Sequence, residues 1–252
     1  MTHIYLIRHG QADGLQPGII GSTIPNAGLS PLGVRQAGRL RNRLAATGEI
    51  RADAFVSSPL RRAQETAEII APALGLPVLL DEDMEEVRLG EAEGLSKEAV
   101  QERFGPFNLR KEPFRRAAPD GESWAEFVLR VCRGLDRLTQ HYRGQTLVIV
   151  CHGGVIGAAF NMFLGLNLLQ RTFYADAENT SITHWHQESC EGQEERWWLR
   201  RANDFTHLLD LEASQPIPWE ALARKPEQTP TLSPAAPHAS GLGGSPSTPS
   251  TG

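Results

Sequence analysis

The sequence predicts an α/β fold: a three-layer sandwich whose mostly parallel sheet carries helices on both faces. Three observations predict it. Leu147-Val148-Ile149-Val150 is apolar at every position, as a strand buried on both sides requires. Shorter apolar runs over residues 4–7, 54–56 and 78–80 alternate with longer stretches whose apolar residues recur at helical spacing. Three of these runs also end abruptly in polar or glycine residues: Arg8-His9-Gly10, Ser57-Ser58-Pro59 and Cys151-His152-Gly153-Gly154.

The remaining elements follow in order. Leu32, Ala37, Leu40 and Leu44 stand at roughly helical spacing behind Ser30-Pro31, a capping side chain followed by proline at the first helical position. Residues 81–122 are charged and interrupted by Gly and Pro, with one short helical stretch near 96–104, and read as a lid-like insertion. Trp124, Phe127, Val128, Val131, Leu135 and Leu138 form one apolar face of a long helix capped by Ser123. Residues 181–185 and 196–199 read as a later pair of strands at a sheet edge. One domain is thus expected over 1–212, with 81–122 inside it and a C-terminal extension over 213–225. Residues 226–252 are Pro, Ser, Thr, Gly and Ala with almost nothing large and apolar, so a disordered tail is expected.

A chain of 252 residues with 40% apolar content is long enough for such a domain and its core. The net charge of −5 gives no electrostatic reason to expect nucleic acid or an anionic membrane as partner. Cys132, Cys151 and Cys190 match neither a disulfide framework nor a zinc spacing, which points to a reducing compartment. The opening apolar run is too short for a signal peptide or a membrane span, and no later run is long enough. The expectation is a cytoplasmic protein; no feature of the sequence sets an oligomeric state.

In a parallel sheet, ligands bind beyond the carboxyl ends of the strands, where His9, Ser58 and His152 all fall. Neutral imidazole is a nucleophile near pH 7, and an arginine fork matches phosphate oxygens and keeps its charge. Arg8-His9-Gly10 supplies one of each, although a lone histidine at a strand end is also compatible with a structural role.

The wider segments carry a resemblance. Residues 4–12, Ile-Tyr-Leu-Ile-Arg-His-Gly-Gln-Ala, are similar to the signature of the histidine phosphatase superfamily, the phosphoglycerate-mutase-like family. Its second segment resembles residues 55–67, where Ala63, Thr66 and Ala67 align so that Arg62, not Arg61, is the phosphate-binding arginine. The third resembles residues 84–94 and selects Glu86; the fourth is residues 148–154, with the second histidine at His152. Leu29-Ser30-Pro31-Leu32-Gly33, Gly121-Glu122-Ser123 and Asn179-Thr180-Ser181 also look like family landmarks, and the likeness spans roughly residues 3–185.

The resemblance implies that His9 attacks phosphorus while Arg8, Arg62 and His152 hold the non-bridging oxygens. Gln11 and Gly153 join Arg8, Arg62 and His152 in binding substrate. Glu86 protonates the leaving oxygen, then draws a proton from the attacking water; the negative charge of bound phosphate favours its starting protonated. Glu85, Glu91 and Glu93 are alternative acids. The substrate is a small phosphorylated molecule, and no cofactor or metal is needed, because two arginines and two histidines supply the positive charge a metal would bring.

Other chemistries fit less well. Cys151 beside His152 suggests a thiol nucleophile, but adjacent strand residues face opposite ways. His184 and His186 share a face and could ligate metal, yet no third ligand is suitably spaced, so they read as surface histidines. Neither a Gly-x-Ser-x-Gly elbow nor a P-loop is present. The basic residues Arg110-Lys111 and Arg115-Arg116 are either a solvated face or a site for a second anionic group. Mutases of the family usually carry an asparagine six residues after the nucleophilic histidine, where this chain has Leu15 with Gln16 beside it. Their tyrosine-glycine-alanine-leucine-glutamine-glycine stretch is also missing. A phosphatase is therefore expected ahead of a mutase, and either ahead of a binding protein that has lost catalysis.

Overall fold

The central strands form along the apolar runs, whose side chains are buried on both faces of the sheet. In the computed structural model, which describes residues 1–14, 18–21, 26–107, 111–169, 176–188, 196–209 and 211, the strands are β1 (Thr2–Arg8), β2 (Ala54–Ser57), β3 (Leu79–Leu80), β4 (Thr146–Cys151), β5 (Ile182–Glu188) and β6 (Arg196–Asp204). The sheet order is β3-β2-β4-β1-β5-β6. The first four are mutually parallel, while β5 runs antiparallel to β1 and β6 antiparallel to β5. The extension over 213–225, the tail over 226–252, Leu15, Gln16, Arg110 and Cys190 lie outside the described residues.

Side-chain alternation divides the core in two. Ile4, Leu6, Leu147, Ile149 and Cys151 point to one face and pack under α4 (Trp124–His141) and α5 (Gly153–Phe163). Tyr5, Ile7, Val148 and Val150 point to the other, under α1 (Pro31–Thr47) and α2 (Arg61–Leu74). This is the expected α/β sandwich. Ser30 caps α1 by accepting from Gly33 N at 3.1 Å, and Ser123 forms a reciprocal capping box with Glu126 at the start of α4.

The described residues of 81–122 include two 3-10 turns and α3 (Lys97–Phe104); Ala92, Val100 and Ala118 among them form a small cluster, whereas Met84 of the first turn joins the main core. Two sequence readings need correction. Only Leu79 and Leu80 of the run 78–80 form the short β3, both exposed at the sheet edge. His186 is buried rather than a surface residue, because pairing of β5 with β1 sets His184 and His186 over Tyr5 and His3. His184 Nε2 lies 3.0 Å from His3 Nδ1 and its ring stacks on Tyr5, while His186 reaches Glu188 at 3.1 Å. Among the described residues no helix is long and apolar enough to cross a membrane, and no group of three or more His, Cys, Asp and Glu side chains is arranged to hold a metal ion.

Candidate active site

The parallel strands β2, β4 and β1 lie side by side and stop at one level, which brings Ser58, His152 and His9 together. The turn after β1 is braced from behind: Asn179 Nδ2 donates to His9 O at 2.9 Å and Thr180 N to Arg8 O at 2.9 Å. Thr180 adopts φ +58°, a left-handed conformation unfavourable for a β-branched residue and maintained by these surroundings.

His9 is 5% exposed. Its Nδ1 sits 2.7 Å from the carbonyl of Gly10, which accepts only from an N–H, so Nδ1 carries the proton and Nε2 keeps its lone pair. Arg62 Nε donates to that lone pair at 3.2 Å. Burial, reinforced by the charges of Arg62 and Arg8, holds His9 well below its ordinary value, so the ring is neutral at pH 7. Arg8 donates through Nη1 to the carbonyl of Ala177, while its buried Nε has no protein partner. A buried donor left open beside a cavity is a place for an anion.

His152 is fully buried, 5.0 Å from His9 between ring centroids. Its Nε2 lies 2.8 Å from Ser58 Oγ, which also accepts from Leu60 N at 3.2 Å. The serine oxygen, with one proton and two lone pairs, can donate to Nε2 or accept from it beside Leu60 N, and the other ring nitrogen, Nδ1, has no protein partner. Burial, with His9, Arg62 and Arg8 nearby, pushes His152 well below its ordinary value too. Both imidazoles are therefore neutral at pH 7, which corrects the expectation that they supply positive charge; the charge comes from Arg8 and Arg62.

A cavity of about 300 Å³ opens in front of His9, lined by Arg8, His9, Arg62, Glu85, Glu86 and Arg88 with Asn26, Glu93 and apolar neighbours; His152 and Gly153 lie behind this wall and are not part of it. The candidate acids differ in what they touch. Glu85 is paired to Arg88 at 2.8 Å and Glu91 to Arg103 at 2.7 Å. Glu86 reaches across to α5, accepting from Val87 N and Gly154 N, each at 2.9 Å. Glycine at 154 lets the carboxyl come this close: a Cβ at that position would stand 2.1 Å from Glu86 Oε1 and 3.0 Å from Phe127 Cζ. Gly153 starts α5, whose N-terminal amides favour an anion.

The other named residues lie elsewhere. Gln11 is not part of the cavity wall; its Oε1 accepts from Ser30 Oγ at 2.8 Å. Arg61 is exposed and paired with Glu65 at 2.7 Å. Arg115 donates to the Phe104 carbonyl at 3.3 Å and Arg116 to Glu126 at 3.0 Å. Cys151 is buried in the core, which pushes its thiol far up and leaves no thiolate at neutral pH. The links of Ser58 to His152 and of Asn179 and Thr180 to the β1 turn were marked in sequence only as family landmarks or strand-end residues.

One neutral imidazole, two arginines and a carboxyl thus line one cavity, with a second neutral imidazole 5.0 Å behind the first, an arrangement suited to an anion. The chain belongs to the histidine phosphatase superfamily (branch 1), whose pattern it matches over residues 4–204. It is 33% identical over 216 residues to a putative phosphoserine phosphatase 2 of Hydrogenobacter thermophilus, covering 84% of this chain and all of that protein. A bifunctional protein of Mycobacterium tuberculosis is 35% identical over 192 residues, or 75% of this chain, and there the match spans only 52% of the relative's length. Among solved structures, phosphoserine phosphatase of Entamoeba histolytica in complex with 3-phosphoglyceric acid superposes with a TM-score of 0.64 at 28% identity, covering 83% of this chain and all of that one.

Proposed function

We propose that this chain is a phosphomonoester hydrolase acting on a small phosphorylated metabolite through a phosphohistidine at His9, without a metal ion or cofactor. The observation that carries this reading is the fixed tautomer of His9: its Nδ1–H is held by Gly10 O, so Nε2 keeps its lone pair at the cavity wall, where Arg62 Nε donates to it until a phosphoryl group takes its place.

Nε2 forms an N–P bond as the ester P–O bond breaks, and the departing oxygen takes the proton of Glu86. Water then forms a P–O bond as the N–P bond breaks; its proton passes to the Glu86 carboxylate and inorganic phosphate leaves. Arg8, Arg62, the Nδ1–H of His152 and the amide of Gly153 face the charge that develops on the non-bridging oxygens. Residues 81–122 supply the outer wall as a lid. The cytoplasm is the compartment in which such a substrate is met.

The phosphatase-named relatives support hydrolysis. A probable phosphoglycerate mutase of Proteus mirabilis, 28% identical over 84% of this chain, keeps phosphoryl transfer between hydroxyls as the second reading. A screen of phosphorylated metabolites, with phosphoserine and 2- and 3-phosphoglycerate included, separates them: hydrolysis releases inorganic phosphate, whereas a mutase interconverts the two phosphoglycerates. His9→Ala should abolish turnover and the phosphoenzyme, which in the native protein should be acid-labile and alkali-stable. An alkali-labile adduct, or full activity in the variant, contradicts the assignment.

A further inference from the structure

The proposed acid Glu86 lies in a segment with little regular structure, between a 3-10 turn (Glu82–Met84) and the next turn at Gly90–Ala92. Backbone of this kind does not hold a side chain in place unless its carbonyls and amides are bound by something rigid. The something is one guanidinium on α4.

Arg130 is buried, with its side chain 8% exposed. Its Nε and Nη2 grip both oxygens of Glu122 at 2.7 Å each. Its Nη1 donates to the carbonyls of Glu82, Asp83 and Glu85 at 3.3, 3.0 and 3.1 Å, and its Nη2 to that of Glu86 at 3.2 Å. Four carbonyls of the acid segment thus converge on a single planar fork. Glu122 closes the clamp, accepting from Arg88 N at 3.0 Å while its own N–H donates to Arg88 O at 2.7 Å. The platform is close-packed, since a Cβ at Gly134 of α4 would stand 2.4 Å from Asp83 Cβ.

Burying an ion pair contributes little net stability, because desolvation offsets most of the attraction. Orientation is another matter: five donors in a rigid plane hold several acceptors in one arrangement, which a lysine ammonium cannot do. We infer that Arg130, locked by Glu122, is the positioning residue that sets the general acid Glu86 in the cavity. The inference rests on the reading of Glu86 as acid. Arg130 touches no substrate and acts by fixing the backbone from which Glu86 reaches to Gly154 N.

The test is single-turnover formation of the phosphoenzyme from an aliphatic phosphate ester and from nitrophenyl phosphate, whose leaving group needs no proton. Arg130→Lys, with Glu122→Gln as the milder second variant, should slow the aliphatic ester roughly tenfold or more and the nitrophenyl ester far less. In a Glu86→Gln background the same substitutions should add nothing to the loss for the aliphatic ester. Equal losses for both esters, no loss at all, or a loss that persists beside Glu86→Gln overturns the inference. If Glu86→Gln itself shows no leaving-group dependence, the acid assignment has failed and the inference falls with it. That outcome differs from one in which Glu86→Gln keeps the dependence and Arg130→Lys lacks it.

Discussion

Gly154→Ala is a one-methyl probe of the acid. The methyl would appear 2.1 Å from Glu86 Oε1 and 2.9 Å from its Cδ, whereas ordinary contact begins near 3.4 Å, so the carboxyl must retreat by about 1 Å. The same retreat breaks the 2.9 Å hydrogen bond from Gly154 N to Oε2. A displacement of that size in a catalytic group costs on the order of a hundredfold, or about 2.7 kcal/mol of barrier. The fold should survive, because Gly154 lies in ordinary helical backbone of α5 and alanine favours helix by up to about 1 kcal/mol. Rapid-quench measurement of phosphoenzyme formation should show that loss with an aliphatic ester and a much smaller one with nitrophenyl phosphate, in a protein whose melting temperature stays within a few degrees. Native rates with both esters, or equal losses, would refute the placement of Glu86 as acid.

Three further outcomes are expected. Activity should survive exhaustive chelation with EDTA, since Arg8 and Arg62 already bring positive charge to the cavity; a loss restored by one specific divalent ion would contradict it. Ser58→Ala should remove the hydrogen bond to His152 Nε2 and lower kcat/KM roughly tenfold, the worth of one good hydrogen bond; nitrogen NMR of the native protein should show the Nδ1–H form that the proposed mechanism uses, and an Nε2–H form would refute that role for His152. Burial holds His184 and His207 at about 4, below the unfolded value near 6.5, so the unfolded chain binds more protons between those limits. Stability should therefore fall as pH drops from about 6.5 to about 4, most directly read as a melting temperature that declines less steeply in His207→Gln.

Local signals were legible and long-range ones were not. The four-residue apolar core of β4 and the Ser30 and Ser123 caps are written within a few neighbouring residues, and the structure realises them. Helix α5 escaped because it is buried nearly all round, from Val155 to Phe163, and so shows no polar face to reveal its period. At the site, Arg8, His9 and His152 were marked by standing where apolar runs end. Arg130 gave no such sign: on an amphipathic helix an arginine reads as solvated, and only the approach of a segment 44 positions away shows otherwise. His186 was misjudged for the same reason, since its cover comes from β1 and β6.

The order of the central strands also governs how the protein comes to possess its site. Arg62 and His9 are 53 positions apart in the chain, and Ser58 and His152 are 94. No contiguous fragment holds these groups, and parallel pairings across such spans close late and slowly during folding. Affinity for an oxyanion should consequently emerge only with the fully paired sheet. A phosphate mimic would then bind the native state alone and raise its melting temperature by mass action. Its binding would report, in a single readout, that β2, β4 and β1 have all found one another.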